Sequence, residues 1–167
     1  GRFVGVGQAP EQVALRRFEV DGVPYVMASV RDVDARKRLD TALQESEQRF
    51  EAIFNGASMM LAFTERAEGR IVAVNDAWLG IMGAKREDVL GKTGDDLGIW
   101  ANTADRDRIV ENIDARERTR SVETQMFMGG RTLPVLLSAQ PVERNGERFV
   151  LWELLDLTER RRVEQEQ

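Results

Sequence analysis

The amino-acid sequence predicts an α+β fold: a five-stranded antiparallel sheet with helices on one face, preceded by a β-hairpin and a long linker helix. Three observations predict it. Residues 19–38 and 143–162 are similar, and both segments end in a helical pattern. Residues 34–54 contain no Gly or Pro. The strand and helix patterns after residue 54 follow the order ββ, helices, βββ. Helices grouped between runs of strands are typical of an antiparallel sheet with its helices on one side.

The composition is that of one soluble domain with an additional segment. The chain has 167 residues, of which 42% are hydrophobic and 32% are charged. Its net charge of −5 offers no electrostatic attraction for nucleic acid. No apolar run approaches the roughly 20 residues that a membrane span needs. We therefore expect a cytoplasmic protein with no nucleic-acid partner, and the absence of an initiator Met at Gly1 suggests a segment of a longer protein.

Two residue types are missing, and their absence excludes several chemistries. The chain has no Cys, which rules out disulfides, Cys-ligated zinc and a cysteinyl–flavin adduct. It has no His, which removes the usual general base and the usual haem ligand. Gly91-Lys92-Thr93 suggests a phosphate loop, but Arg86 stands where that loop requires glycine. We expect a regulatory module with no catalytic residues and no metal site.

The internal repeat relates residues 19–38 to residues 143–162 at a constant offset of 124. It pairs Gly22 with Gly146 and Asp32 with Asp156. In each copy a Gly-containing turn joins two strand-like runs, an Asp ends the second run, and a charged helical stretch follows. We infer that two related domains end in the same way, and that residues 1–33 supply only the last strands of the first.

Residues 34–54 contain no Gly or Pro and predict an amphipathic linker helix about 30 Å long. A heptad seam is indicated by positions that recur at spacings of three and four, although two polar members weaken it. The positions are Arg36, Leu39, Leu43, Ser46, Phe50 and Ile53, of which Leu39, Leu43, Phe50 and Ile53 are the expected dimer residues. One interpretation is a helix packed on its own domain. The other, which we favour, is a parallel helix pair in a homodimer that transmits a signal.

Residues 46–158 contain the complete domain. Short helices are expected after Asn75, with breaks at Gly80, Gly83, Gly91, Gly94 and Gly98, and a longer helix runs from Asn102 to about Glu117. Pro134 lies inside a predicted central strand, where proline is disfavoured because it has no N–H to donate to a neighbouring strand. The expected strands are Met59–Phe63, Ile71–Val74, Val122–Met128, Leu133–Val142 and Arg148–Leu155.

An ordered set of short motifs resembles the PAS family over about residues 46–162, and residues 12–38 resemble the family's last hairpin. The motifs are Asn75-x-Ala77-Trp78 with Gly83, Glu87-Asp88-Val89-Leu90-Gly91, Gly129-Gly130-Arg131, Val135-x-Leu137-Ser138-Ala139 and Asp156-Leu157-Thr158-Glu159. The resemblance implies the strand order 2-1-5-4-3, with helices enclosing a pocket on one face. It also implies a place in a bacterial signalling protein, where such domains lie in series with histidine kinase or diguanylate cyclase output domains.

The resemblance also directs attention to a candidate ligand pocket. Asn75 has an alternative role as a helix cap, and the tryptophans have an alternative role in the core. Glu153 shares a strand face with Phe149, Leu151 and Leu155, so it lies either in the pocket or at a solvated rim. The cofactor is unknown: none, a non-covalent flavin or another small ligand. The expected lining residues are Asn75, Trp78, Met82, Trp100, Val135, Leu137 and Glu153.

Signal coupling is expected at Asp156, Thr158 and Glu159, where the last strand meets the start of an exit helix, residues 159–167. Asp156 as N-cap and Glu159 at the third helical position form a capping box. The last strand is apolar on both faces, so its outer face is a second candidate dimer surface. Two functions remain open: a sensor of a small molecule, or a ligand-free module that only dimerises and relays change between neighbouring PAS and output domains.

Overall fold

The computed structural model of the protein describes residues 11–114 and 121–166. The chain divides into two compact units, Gly1–Glu51 and Ala52–Gln167. Helix α1 (Val33–Gly56) contains the boundary between them. It includes the predicted linker helix of residues 34–54 and extends it by one residue before and two after.

The first unit contains a β-hairpin of β1 (Glu11–Val20) and β2 (Val23–Asp32). The two turn residues, Asp21 and Gly22, both have positive φ, 50° and 76°. Two positive φ values define the turn whose twist matches that of a hairpin, and Asp-Gly is among the sequences that adopt it. The Asp21-Gly22 turn therefore forms as the sequence predicts.

Five further strands form one antiparallel sheet in the second unit, in the spatial order β4-β3-β7-β6-β5. Counted within this unit, the order is the predicted 2-1-5-4-3, which confirms the fold class. The strands are β3 (Met60–Glu65), β4 (Ile71–Val74), β5 (Val122–Met128), β6 (Arg131–Arg144) and β7 (Glu147–Asp156).

The hairpin of the first unit repeats the register of β6 and β7. Val20 pairs with Val23 in the first hairpin, and Arg144 pairs with Glu147 in the second. Both positions shift by the same 124 residues that relate the two sequence segments. The sequence repeat is therefore also a repeat of strand pairing.

The helices of the second unit lie between β4 and β5 in the chain, with one more at the C-terminal end. The predicted break at Gly80 is wrong, because α2 runs through Gly80 and ends at Gly83, whose φ of 67° forms the cap. The predicted end of α4 near Glu117 lies outside the described residues. The helices are α2 (Asp76–Met82), α3 (Arg86–Val89), α4 (Thr103–Asp114) and α5 (Thr158–Gln165).

Pro134 lies inside β6 without loss of a sheet hydrogen bond. The β6–β7 ladder begins at Val135, opposite Asp156, so the Pro134 nitrogen faces the chain beyond the end of β7. The Pro134 carbonyl accepts a bond from the Leu157 N–H at 2.9 Å. A residue in an antiparallel strand directs its N–H and C=O to the same side. The N–H that proline lacks would therefore point beyond the end of the β6–β7 ladder, so the ladder loses no hydrogen bond.

The core lies on one face of the sheet, beneath the helices. Inward-facing residues alternate along β5 and β6 and are almost completely buried, as the period of a strand requires. Among the described residues, no helix is both long and apolar enough to cross a bilayer. The largest fully buried side chains include Trp78, Met60, Ile109, Met126, Met128, Leu133 and Leu137.

Candidate functional site

A cavity of about 330 Å³ lies within the second unit, between the inner face of the sheet and the segment that leads into α4. All three tryptophans of the protein line it: Trp78, Trp100 and Trp152. They come from three separate elements, namely α2, the loop before α4, and β7. The cavity is therefore formed by the tertiary fold rather than by a single local motif.

The sheet provides an apolar floor for the cavity. On β7 the even-numbered residues Val150, Trp152 and Leu154 face inwards and line it. Alternation of side chains along each strand aligns these positions with inward-facing residues of the neighbouring strands. The neighbours that complete the floor are Ala62, Thr64, Met126 and Leu137.

Two of the tryptophans are held in defined positions. Trp152 Nε1 donates to Thr64 Oγ1 at 2.9 Å, which satisfies both groups in a mostly buried site. The rings of Trp100 and Trp152 meet edge to face, with centroids 5.7 Å apart and an interplanar angle of 68°. This geometry is favoured between aromatic rings. The apolar end of the cavity therefore has a fixed shape.

Gly94 allows Trp100 to approach the loop backbone. A Cβ at position 94 would lie 2.5 Å from Trp100 Nε1, which is too close for any side chain. The loop is held by a reciprocal pair: Thr93 N–H donates to the Asp96 carboxylate at 2.9 Å, and Asp96 N–H donates to Thr93 Oγ1 at 3.1 Å. The hydrogen bond from the Thr93 backbone is the main cause that lowers the pKa of Asp96.

Charged residues surround the mouth of the cavity. Arg106 Nη2 and Nε both donate to Asp107 Oδ1, at 2.8 and 3.0 Å, and Arg106 Nη1 donates to Asp95. The hydrogen bond with Asp107 is the main cause that raises the pKa of Arg106, and the charge of Asp95 adds to it. Glu65, Arg66 and Glu68 also line the cavity. The mouth is therefore polar and charged, whereas the floor is apolar.

Asp105 anchors α4 to the sheet. Its carboxylate accepts from Thr124 Oγ1 of β5 at 2.6 Å and also pairs with Arg108. The hydrogen bond from Thr124 is the main cause that lowers the pKa of Asp105, followed by the bond from Arg108. Asp105 also lies in the first turn of α4, where a negative charge is favourable. The carboxylate thus stabilises the helix that closes one side of the cavity.

We expect Asp105→Asn to lower the free energy of unfolding at neutral pH by about 1 kcal/mol, because it weakens charge-assisted hydrogen bonds. A carboxyl group whose pKa is lowered by folding stabilises the protein above its unfolded pKa, near 3.9, and that contribution is lost as the pH falls through the folded pKa. Urea unfolding at neutral and acidic pH measures both effects. The difference between the variant and the unchanged protein should shrink in acid, whereas Glu111→Gln, at an exposed position of α4, should have little effect at either pH.

The structure brings three of the seven predicted pocket residues to the cavity: Trp78, Trp100 and Leu137. Asn75, Met82, Val135 and Glu153 are not among its lining residues. Val135 is fully buried in the core, and Met82 packs against that core. The structure therefore places these four residues outside the lining of the cavity, contrary to expectation.

Glu153 lies on the outer face of β7, on the other side of the sheet from Trp152. Its Oε2 accepts from Ser138 Oγ at 2.9 Å, across a directly paired position of β6. The sequence placed Glu153 on one face with Phe149, Leu151 and Leu155, and the structure has the same grouping. Of the two positions left open for Glu153, the cavity and a partly solvated site, the structure has the second: the side chain is half-buried on the outer face.

Asn75 is a structural residue that joins three segments. Its Oδ1 accepts from the N–H groups of Leu61 and Trp78, at 3.0 and 3.1 Å. Its Nδ2 donates to the carbonyls of Phe54 and Met59, at 3.0 and 2.8 Å. Asn75 has no exposed surface, so these four bonds link the end of α1, the start of β3 and the start of α2. The predicted cap of α2 is present, with three further bonds that the sequence did not reveal.

The junction with the exit helix differs from the predicted capping box. Asp156 Oδ1 accepts from the N–H and the hydroxyl of Thr158, at 2.8 and 2.5 Å. The residue preceding the helix is Leu157, however, and Glu159 lies 3.9 Å from Arg162 instead of reaching back to Asp156. Asp156 is the last residue of β7, one residue before the position that caps the helix. The bond that Asp156 accepts therefore forms, whereas the return bond from Glu159 does not.

Two further contacts hold the exit helix to the sheet. Leu157 is buried, and its N–H donates to Pro134. Arg161 Nη2 lies 3.0 Å from Glu123 Oε2 on the edge strand β5. Neither contact is predictable from local sequence patterns, because both join residues that are far apart in the chain.

The predicted dimer residues are exposed in the single chain. The exposed fractions of Leu39, Leu43, Phe50 and Ile53 are 71, 56, 52 and 68%. Phe54, on the same helix, is buried and packs on Phe63 of β3, with ring centroids 5.8 Å apart. The helix thus covers part of the outer sheet face near its end and leaves the predicted seam exposed.

The comparisons with known sequences and with known structures agree on the fold. The family model described as PAS fold matches residues 54–162. The PAS domain of an HTR-like protein from Haloarcula marismortui superposes with a TM-score of 0.62 at 24% identity, covering 72% of this chain and 98% of that domain. The agreement in fold therefore includes nearly the whole of the solved domain.

Two curated relatives are much longer than this chain. The uncharacterized protein y4lL of Sinorhizobium fredii is 31% identical over 164 residues, which are 93% of this chain and 19% of that protein. The methyl sulfide methyltransferase-associated sensor of Methanosarcina acetivorans is 27% identical over 127 residues, which are 74% of this chain and 12% of that protein. The chain spans less than a fifth of the length of each.

Proposed function

Because this chain belongs to the PAS family, we propose that residues 46–158 form a sensory module of a bacterial signalling protein, of the histidine kinase or diguanylate cyclase type. The module binds a small molecule in the cavity and passes the resulting change through its flanking helices. One relative is named as a sensor, which supports a sensory role. The module itself is regulatory, and its output belongs to other domains of a longer protein.

The cavity is the observation that carries this proposal. Protein interiors are close-packed and contain few voids larger than a water molecule. A cavity of about 330 Å³ is instead within the range of small-molecule sites, which combine apolar walls with a few polar groups. Its tryptophans, its polar mouth and its position beneath α4 all match that description.

The three tryptophans provide a direct test of binding. Since every tryptophan of the protein lines the cavity, the whole intrinsic indole emission reports on its contents. Titration with a pool of small metabolites should change the emission in a saturable way. An absorption spectrum and a native mass of the purified protein would reveal a flavin or another retained ligand. The proposal would be contradicted by a purified protein that carries no ligand and whose emission no metabolite changes.

The second candidate is a ligand-free module that dimerises and relays change. The exposed seam of α1 supports the dimerisation that this candidate requires. A dimer through this helix and the outer sheet face would bury side chains that the single chain leaves in water. Dimerisation is compatible with sensing, so this candidate differs from the first only in having no ligand.

We expect Leu43→Glu to weaken self-association by at least about tenfold, because it places a charge at the centre of an apolar helix seam. Light scattering across a micromolar concentration series measures the change. Glu45→Gln, an exposed substitution two residues away, is the matched control and should leave association unchanged. An unaltered protein that is already monomeric at high micromolar concentration would contradict the seam.

We also propose that residues 1–33 are the final strands of a preceding PAS domain, joined to this one by α1. The shared offset of 124 in both sequence and strand register supports this assignment. The hairpin also has large apolar residues in water, as expected of strands separated from their own sheet. They are Leu15, Phe18, Val20, Val23, Tyr25, Val26 and Met27.

We expect Asp156→Ala to change output activity while the domain stays folded. The variant loses the side-chain bonds to Thr158 at the start of the exit helix, a loss that typically costs about 1 kcal/mol. This is small beside a folding stability of about 5–15 kcal/mol but comparable with allosteric coupling energies of about 1–3 kcal/mol. Thermal unfolding of the domain and kinase or cyclase activity of the longer protein measure the two effects. Unchanged activity would show that the Asp156–Thr158 bonds are structural only.

A further inference from the structure

We propose that the cavity binds an aromatic amine, with a single flat ring against the tryptophans and a cationic ammonium group at the mouth. The proposal rests on the sensory function proposed above, because it names the class of ligand for the same cavity. It follows from three features: the aromatic walls, the size of the cavity, and the charges at its entrance.

The walls and the volume favour a small flat ring. Trp100 and Trp152 stand nearly perpendicular, and Trp78 provides a third indole from α2. Aromatic ligands gain both apolar burial and favourable ring geometry in such a site. The volume, about 330 Å³, is at the lower end of the range for ligand pockets, which suits one ring better than a large cofactor.

The charges at the mouth disfavour an anion. Arg106, which could otherwise bind a carboxylate or phosphate, already donates to Asp107 and Asp95. An anionic ligand would have to compete with those two carboxylates for the same guanidinium group. The arginine at the mouth therefore orders the acidic side chains and offers little attraction for an anionic ligand.

The same charges favour a cation. The lining contains four carboxylates, Glu65, Glu68, Asp95 and Asp107, and two arginines, Arg66 and Arg106. Arg70 lies outside the lining and pairs with Glu68 at 2.7 Å. Even with Arg70 included, the mouth has an excess of negative charge.

Trp100 connects the ring site with this charged entrance. The indole is half-buried, and its Nε1 lies beside Gly94, the residue that precedes Asp95. Indole faces attract ammonium groups more strongly than other aromatic side chains do. A cation at the mouth would therefore lie near both an indole and a carboxylate, while its ring extends towards Trp152.

Three probes of similar size separate the effect of charge from the effect of the ring: 2-phenylethylamine, 2-phenylethanol and phenylacetate. Their phenyl groups absorb little where tryptophan is excited at the red edge of its absorption, so the indole emission reports binding directly. We expect the amine to bind most tightly and phenylacetate most weakly, with steps of about fivefold for each change of charge near the carboxylates.

The double variant Asp95→Asn/Asp107→Asn should abolish this order. It removes two negative charges and frees Arg106, so phenylacetate should gain at least fivefold in affinity and the amine should lose as much. The affinity for the uncharged alcohol should stay within about twofold of its original value, because the ring site is intact. Asp88→Asn, which removes an exposed carboxylate of α3 away from the lining, is the matched control and should change none of the three affinities.

Phenylacetate binding as tightly as the amine would overturn the inferred ligand class and leave the cavity as a binding site for another class. An unchanged order in the double variant would also overturn it. Failure of all three probes to bind would overturn the aromatic-amine inference, and the metabolite titration would then judge the sensory function separately.

Discussion

Replacing Asn75 by Ala is expected to lower the free energy of unfolding of the PAS domain by at least about 3 kcal/mol. The side chain is fully buried and makes four hydrogen bonds to backbone groups of three segments. Alanine would leave two N–H groups and two carbonyls without this partner, and two of the four lost bonds are fully buried. Each buried polar group that loses its partner costs about 1–3 kcal/mol, and partial relaxation of the structure reduces the total.

The matched control is Asn102→Ala. Asn102 is also an asparagine at the start of a helix, and its Oδ1 accepts one bond from the Ala104 N–H at 3.0 Å, but it is exposed. Loss of an exposed cap costs about 1 kcal/mol. Urea unfolding followed by tryptophan emission compares the two variants. Equal losses would show that Asn75 is only a cap and does not join the end of α1 to the sheet.

Gly129→Ala should have an effect of similar size for a different reason. Gly129 has a φ of +59°, and a Cβ there would lie 2.3 Å from the backbone oxygen of Ile81 in α2. The left-handed conformation alone costs a residue with a side chain about 1–2 kcal/mol. The clash with backbone cannot be relieved by a side-chain rotation, so α2 must shift. We expect a total loss of at least about 3 kcal/mol.

Gly130→Ala separates the two contributions. Gly130 has a φ of +75° in the same turn, but no heavy atom of the described residues outside the turn lies within 4 Å of the position where its Cβ would stand. It should therefore lose only the conformational part, about 1–2 kcal/mol. Equal losses in the two glycine variants would contradict a close contact between the β5–β6 turn and α2. Because α2 carries Trp78, a shifted helix should also alter the indole emission of any folded Gly129→Ala protein.

Much of the fold could be predicted because local and global signals agree. The turns at Asp21-Gly22 and Asn145-Gly146 have the residues that a two-residue hairpin requires, and the strand periods are clear. The internal repeat also indicates that the last two strands pair as a hairpin. The low helix propensity of glycine predicts a helix break at Gly80, yet α2 continues through it. Glycine destabilises a helix interior by about 1 kcal/mol relative to alanine, and tertiary contacts offset that cost.

The cavity was harder to predict, because its walls are ordinary core residues in the sequence. Trp78 and Trp100 were expected there, but Trp152 was not, since β7 is apolar on both faces and no local rule says which face is enclosed. Arg106 and Gly94 act through contacts with distant or backbone atoms. Their roles depend on how the loop before α4 lies over the sheet, which the sequence pattern does not determine.

The claim that the cavity serves to receive a small molecule is tested most directly by filling it. Ala62→Leu would place a larger apolar side chain at a buried position of the floor. The melting temperature and tryptophan emission of this variant and the unchanged protein should be measured with and without a pool of small metabolites. If the cavity receives a small molecule, the pool should stabilise the unchanged protein and shift its emission, while the folded variant should not respond. A pool that affects neither protein, together with a variant more stable than the original, would contradict this claim and identify the cavity as a packing defect of a ligand-free relay module.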